Sequence, residues 1–144
     1  MTTIIVTERA VAADGMVSGG GYVSWSNDVK ITRYDSPIPG GICGILGACS
    51  LEHMKSAWMR GELADLKAKT DWTFLKVAYG DKVACEYTSD YPYSDPMPIP
   101  MAWGSGGLIA RALLKADVPL NRIIEIVTEM DHHSGGKWTV LERR

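Results

Sequence analysis

Nothing in the 144 residues pulls the charge far from neutral: 15 Lys and Arg meet 17 Asp and Glu, for a formal net charge of -2. No basic run stands out, so the electrostatic footprint expected of a nucleic-acid or anionic-membrane binder is missing. Long apolar runs are missing as well. No stretch approaches membrane-spanning length, and no apolar core of a signal peptide is present in these residues. Cysteine is scarce: Cys43, Cys49 and Cys85 are an odd set that cannot all pair, which argues against a disulfide scaffold and for small buried thiols in a reducing compartment. There is no internal repeat, no low-complexity tract and no linker long enough to divide the chain. What remains is one soluble, cytoplasmic domain over residues 1–144, with 46% hydrophobic residues and enough length to bury most of its apolar surface.

The chain begins MTTIIVTERAVAADGM. TTIIVT and AVAAD have strand character, and Glu8-Arg9 is the only polar punctuation between them, so the pair reads as a hairpin. Glu-Arg lacks the Gly or Asn that a two-residue primed turn favours, so a three- or four-residue loop is expected. The first would set Thr2 opposite Asp14, and the second would set Thr3 there. GMVSGGGYVSWSN follows as an irregular glycine-rich segment, then VKITRYD as a strand, SPIPGG as a turn and ICGILGA as a buried strand. Ser50 is a plausible N-cap for a helix carrying Leu51, Met54 and Trp58 on one face, with a second short helix through LADLKAK. TFLKVAY and KVACEYT flank Gly80-Asp81 as a hairpin. SDYPYSDPMPIP reads as a proline-rich loop and MAW as a short strand. GSGG opens a helix through Leu108, Ile109, Ala112 and Leu113. Pro119 suits the first turn of another helix, with Ile123, Val127 and Met130 on one stripe, before DHHSGG and a closing strand KWTVLER. Strands, helices, strands, helices, strand: the order suggests a layered α+β sandwich.

The candidate motifs each have a plain reading. Asp14 before Gly15 suits a turn cap, Lys30 on a strand suits a solvated edge, and DHHSGG suits a glycine C-cap. GSGG lacks the Lys and Ser/Thr of a phosphate-binding loop. Asp131, His132 and His133 invite a metal, yet adjacent histidines on a helix diverge by about 100° and no helically spaced third ligand accompanies them. Cys43, Cys49 and His53 match no common zinc spacing.

Taken in order, the opening MTT-I, the Asp in AADGM, the Lys in NDVK, the small-residue strand end GILGA, the GSGG before a helix and the late DHHSGG resemble the proteasome β-subunit and bacterial HslV peptidase family. The resemblance covers nearly the whole chain, which is shorter than most members, as are phage relatives. It implies a four-layer αββα sandwich of two mainly antiparallel sheets, the N-terminal-nucleophile hydrolase fold. It also implies a threonine peptidase without cofactor or metal, acting on peptides or unfolded protein inside a homo-oligomeric ring served by an ATP-dependent unfoldase.

That chemistry explains why a strand would start so close to the first residue. A free α-amine, with a reference pKa of about 7.7 to 8.0, is a better base at neutral pH than a lysine near about 10.4. Removal of Met1 would give Thr2 both the attacking hydroxyl and that amine. Lys30 would favour loss of the hydroxyl proton, and Asp14 would hold Lys30. By resemblance, Ser105, Asp131 and Ser134 would surround the amine, the Gly47 N–H would bind the oxyanion, backbone at Ser18 and Gly47 would grip an extended substrate, and Ile45 would line an apolar pocket. The alternatives are an inactive proteasome-like assembly subunit that retains Met1, or a small-amide hydrolase of the same fold. Trp25, Tyr91, Tyr93 and Trp138 are candidate interface aromatics.

Overall fold

The structure is a computed structural model that describes residues 2–19, 22–25, 28–34, 43–49, 51–62, 72–88 and 95–144, with only the backbone of 17–19 and 22–25. Met1, the SPIPGG turn, the Ser50 cap, the LADLKAK helix, Tyr91 and Tyr93 lie outside the described residues, as does the side chain of Trp25.

The β-branched run Thr3–Val6 forms β1 and Ala10–Ala13 forms β2. They pair with Ile4 opposite Ala13 and Val6 opposite Val11, the longer of the two loop options. Thr7 makes this turn without Gly or Asn. Its hydroxyl oxygen accepts the N–H groups of Arg9 and Ala10 at 3.3 and 3.0 Å, and its own N–H reaches the Ala10 carbonyl at 2.9 Å. The glycine-rich segment, expected to be irregular, instead pairs as β3 (Val17–Gly19) with β4 (Tyr22–Trp25). Next come β5 (Ile31–Tyr34), β6 (Gly44–Ala48) and α1 (Leu51–Met59), then β7 (Thr73–Ala78) and β8 (Val83–Thr88).

Part of the expected proline-rich loop is strand β9 (Asp95–Pro98) at the edge of its sheet. The Ile99 N–H bonds the Lys82 carbonyl, so by alternation Pro96 and Pro98 occupy the positions facing away from β8. A missing N–H costs no ladder bond there. Strand β10 (Met101–Gly104), α2 (Gly107–Lys115), α3 (Leu120–Met130) and β11 (Thr139–Glu142) complete the order. Pro119 sits one residue earlier than expected, as the extended N-cap of α3.

The protein is thus α+β. The described strands form antiparallel sheets in the orders β10-β1-β2-β11 and β5-β6-β7-β8-β9, with β3-β4 as a separate pair. Ile4, Val6, Val11 and Ala13 of one sheet cluster with Ile31, Ile45, Leu75 and Val77 of the other. The opposite faces are apolar too, because Ile5 and Ala12 pack against Ala110, Ile123 and Val127 of α2 and α3, while Leu46 and Phe74 pack against Leu51, Met54 and Trp58 of α1. Strands buried on both faces read as unbroken apolar runs, which is why TIIV and GILGA do not alternate. Each fully buried aliphatic side chain contributes about 1.5–3 kcal/mol. The α3 stripe was legible except at its end, where Met130 stands 61% exposed, whereas in α2 Leu108 is 80% exposed, Ala112 is exposed as well, and Ala110 is the side chain that is buried. Cys49 is exposed and Cys43 and Cys85 are half-buried, so the thiols are less enclosed than the sequence suggested. Among the described residues no helix is long and apolar enough to cross a membrane.

Candidate active site

The ends of several elements converge beside the start of β1. Asp14 directly follows β2, Lys30 directly precedes β5, Ser105 follows β10, Asp131 caps the C-terminus of α3, and Ser134 lies in the turn beyond it. Register fixes the first contact: with Ile4 opposite Ala13, the next pair outward is Thr3 and Asp14. The Thr3 N–H donates to Asp14 Oδ1 at 2.9 Å, and the Asp14 N–H donates to the Thr3 carbonyl at 3.2 Å.

Lys30 Nζ reaches the same Asp14 Oδ1 at 2.9 Å, with both side chains 0% exposed, and also donates to the Met16 carbonyl at 2.5 Å. Two buried charges lose several kcal/mol each in desolvation, which is offset only when the remaining lone pairs are met. They are met here. Asp14 Oδ2 accepts the N–H groups of Met16 and Gly135, each at 3.3 Å. The solvated edge lysine is therefore ruled out, and Asp14 caps its turn while also holding a cation.

Ser105, Asp131 and Ser134 form a second polar cluster. Ser105 and Ser134 donate their hydroxyl protons to Asp131 Oδ2 at 2.7 and 2.5 Å, and the His133 N–H donates to Oδ1 at 3.2 Å. Burial pushes the Asp131 carboxyl up, but the Ser105 and Ser134 hydroxyls and the His133 N–H outweigh it and hold the group below its ordinary value. A depressed carboxyl stabilises the fold fully above the unfolded value of about 3.9, and that share is lost as pH falls through the lower folded value. The unfolding free-energy difference between wild type and D131N should therefore be flat from pH 7 to 5 and shrink below about pH 4. Chemical denaturation across that range checks it, and a constant difference down to pH 2.5 would remove the role assigned to the carboxylate.

Thr2 lies one peptide bond outside this frame. Its carbonyl accepts the Ser105 N–H at 3.2 Å, and its Oγ1 is buried with no hydrogen-bond partner among the described residues. Gly104 makes room for it with a φ of 93°. A β-carbon on that residue would stand 1.5 Å from the Thr2 carbonyl oxygen.

Two expected roles do not fit. Ala48 donates to the Lys30 carbonyl and Tyr79 to the Cys43 carbonyl, so odd-numbered residues of β6 bond toward β7. This turns the Gly47 N–H toward Leu75, its ladder partner, and leaves it unavailable to an oxyanion or a substrate strand. Ile45 is 1% exposed within the inter-sheet cluster and is a core residue instead of a pocket wall. Ser18 lies in β3 opposite Val23, beside a register shift after Val17, a few residues beyond Asp14. Trp138 donates to Thr128 and packs beside α3. Among the described residues no three His, Cys, Asp or Glu side chains stand together as a metal site, and His132 and His133 are exposed.

Sequence reasoning assigned no role to Thr3, Gly104 or Gly106. The doublet Thr2-Thr3 was the available signal for the first, and GSGG for the glycines. No family model and no curated protein matches the sequence. A solved structure, Thiobacillus denitrificans BPH, is similar to this chain with a TM-score of 0.63 and 14% identity, over 99% of this chain and 98% of that one. At that identity the likeness is one of fold.

Proposed function

We propose that this chain is a threonine peptidase on an N-terminal-nucleophile αββα sandwich, using Thr2 once Met1 has been removed. The observation that carries the reading is the buried Asp14–Lys30 pair, whose carboxylate also holds the N–H of Thr3, the residue after a Thr2 whose buried hydroxyl has no hydrogen-bond partner among the described residues.

With Met1 gone, the Thr2 α-amine takes the proton from its own Oγ1 as that oxygen bonds to the substrate carbonyl carbon. In this reading the Lys30 cation, held by the carboxylate that also accepts the Thr3 N–H, favours the alkoxide and disfavours a second cation on the amine, so the amine stays a base near neutral pH. Collapse of the tetrahedral species breaks the C–N bond. The ammonium returns the proton to the leaving amine, and an ester remains on Thr2. Water, deprotonated by the same amine, then cleaves the ester and restores the enzyme. Asp14 keeps Lys30 in place, and Ser105, Asp131 and Ser134 order the surroundings of the amine. Peptides or unfolded chains are the substrate class. A homo-oligomeric ring fed by an ATP-dependent unfoldase would confine the site, and exposed Leu108 and Met130 on the helix pair are surface that such packing would cover.

Intact mass spectrometry, with fluorogenic peptide cleavage by wild type and T2A, tests the reading. We expect a mass lacking Met1, cleavage by wild type, and at least a 10³-fold loss in T2A. Retained Met1 in cleaving preparations, or a T2A protein that still cleaves, would place the nucleophile elsewhere. Retained Met1 with no cleavage would favour the assembly subunit.

A further inference from the structure

Thr3 is wholly buried, and its hydroxyl is held on both sides. The Gly106 N–H donates to Thr3 Oγ1 at 2.8 Å, and Oγ1 lies 2.5 Å from Ser134 Oγ. A hydroxyl has one proton to give. Ser134 gives its proton to Asp131, so the hydrogen between Thr3 and Ser134 is the threonine's. Donation therefore runs one way, from Gly106 to Thr3 to Ser134 to Asp131, and Ser105 closes on the same carboxylate oxygen. At its backbone, Thr3 exchanges two hydrogen bonds with Asp14, whose Oδ1 is shared with Lys30.

We propose that Thr3 is a positioning residue that ties the Asp14–Lys30 pair to the Asp131 hydroxyl cluster and thereby sets where the Thr2 hydroxyl and α-amine lie. The proposal rests on the reading of Thr2 as nucleophile. Among the described residues no other touches both polar systems through its backbone on one side and its side chain on the other. A carbonyl and an N–H could hold β1 in the sheet alone, but they leave the strand end free to pivot about the ladder. The side-chain relay removes that freedom. Gly106 shows how closely the relay is built, because a β-carbon there would come within 2.8 Å of Thr3 Oγ1 and 2.6 Å of Val127 Cγ1. Valine at position 3 keeps the branched shape but leaves the buried Gly106 N–H without an acceptor and Ser134 without its donor. Serine keeps both bonds.

The test uses the full chain freed of Met1, as wild type, T3V and T3S, with two readouts: steady-state cleavage of a fluorogenic peptide, and the Asp131 carboxyl titration followed by carbon NMR. In T3V we expect kcat to fall about 10²-fold, the cost of roughly an ångström of misplacement, with KM changed less than about threefold. The Asp131 midpoint should move up in T3V, because Ser134 loses the donor that polarises its hydroxyl, and T3S should restore both values. Wild-type kcat with an unmoved Asp131 midpoint in T3V would overturn the proposal, and so would T3S losing as much as T3V, which would indicate packing alone. If processed wild type cleaves nothing, the peptidase reading fails by itself and the Asp131 midpoint alone decides the coupling. Should T3V fail to fold, T3A against T3S carries the same comparison.

Discussion

Replacing Lys30 with methionine is expected to abolish peptide cleavage and to lower the melting temperature by roughly 10 °C or more, the equivalent of about 3–5 kcal/mol in a domain of this size. Methionine fills the space but takes away the cation. Asp14 then stays fully buried with three N–H donors and no counter-charge. Breaking one partner of such a pair costs far more than the pair contributes in net terms, because the uncompensated charge remains inside. The Met16 carbonyl loses its donor in the same step. Loss of stability and loss of chemistry must be told apart, and the double variant D14N/K30M does so. Its Asn side chain carries no charge and its amide oxygen can still accept the Thr3 N–H, while its amide nitrogen replaces the oxygen that accepted Met16 and Gly135, so part of the lost stability should return while cleavage does not. Thermal unfolding and peptide turnover on the two proteins check this, and a K30M protein that melts and cleaves like wild type would refute the arrangement described for Asp14 and Lys30.

The sequence carried most of this architecture because its central strands are apolar on both faces and its helices on one. TIIV, GILGA and TFLKVA contain few residues that tolerate exposure, so their burial follows from composition. The hairpin register was a different matter. Glu8-Arg9 permits two loop lengths, and the choice depends on the Thr7 hydroxyl completing a turn, a contact that propensity does not encode. That choice moves every side chain of β1 by one place and sets Thr3, not Thr2, across from Asp14. The misread prolines show the same limit. Pro96 and Pro98 signal a loop until one knows that β9 is an edge strand and that both residues face outward.

Legibility of the site divides along similar lines. Asp14, Lys30, Ser105, Asp131 and Ser134 sit at element ends, where a polar residue beside an apolar run is visible in the sequence. Gly47 and Ile45 sit inside an element. There, ladder parity decides whether an N–H is free and a side chain faces a cleft, and parity depends on pairing with β5 and β7 that local sequence does not reveal. Thr3 was overlooked for the opposite reason, since a threonine at the start of a strand is ordinary and its meaning comes from residues more than a hundred positions away.

Gly104 supplies the second large effect. Alanine there should cut kcat by 10²-fold or more and destabilise the fold by more than the strain of its own backbone conformation. An L-residue at a φ of 93° carries a backbone cost of about 1–2 kcal/mol. That cost alone would be a modest stability defect. The added β-carbon, however, would stand 1.5 Å from the Thr2 carbonyl oxygen and 3.2 Å from Thr3 Cα, and backbone cannot swing aside as a flexible side chain can. Thr2 must move by more than an ångström, away from the Ser105 N–H that holds its carbonyl, and a shift of that size at a reacting group costs about two orders of magnitude in rate. Gly80 provides the control. It has a φ of 81° in the β7–β8 turn with no atom within 4 Å of a would-be β-carbon, so G80A imposes similar backbone strain without touching the site. A rate loss confined to G104A, with an unfolding penalty larger than that of G80A, would trace the defect to displaced Thr2. Equal rate losses in both would mean that strain anywhere in the sheets suffices, and that the contact between Gly104 and Thr2 has no part in positioning the proposed nucleophile.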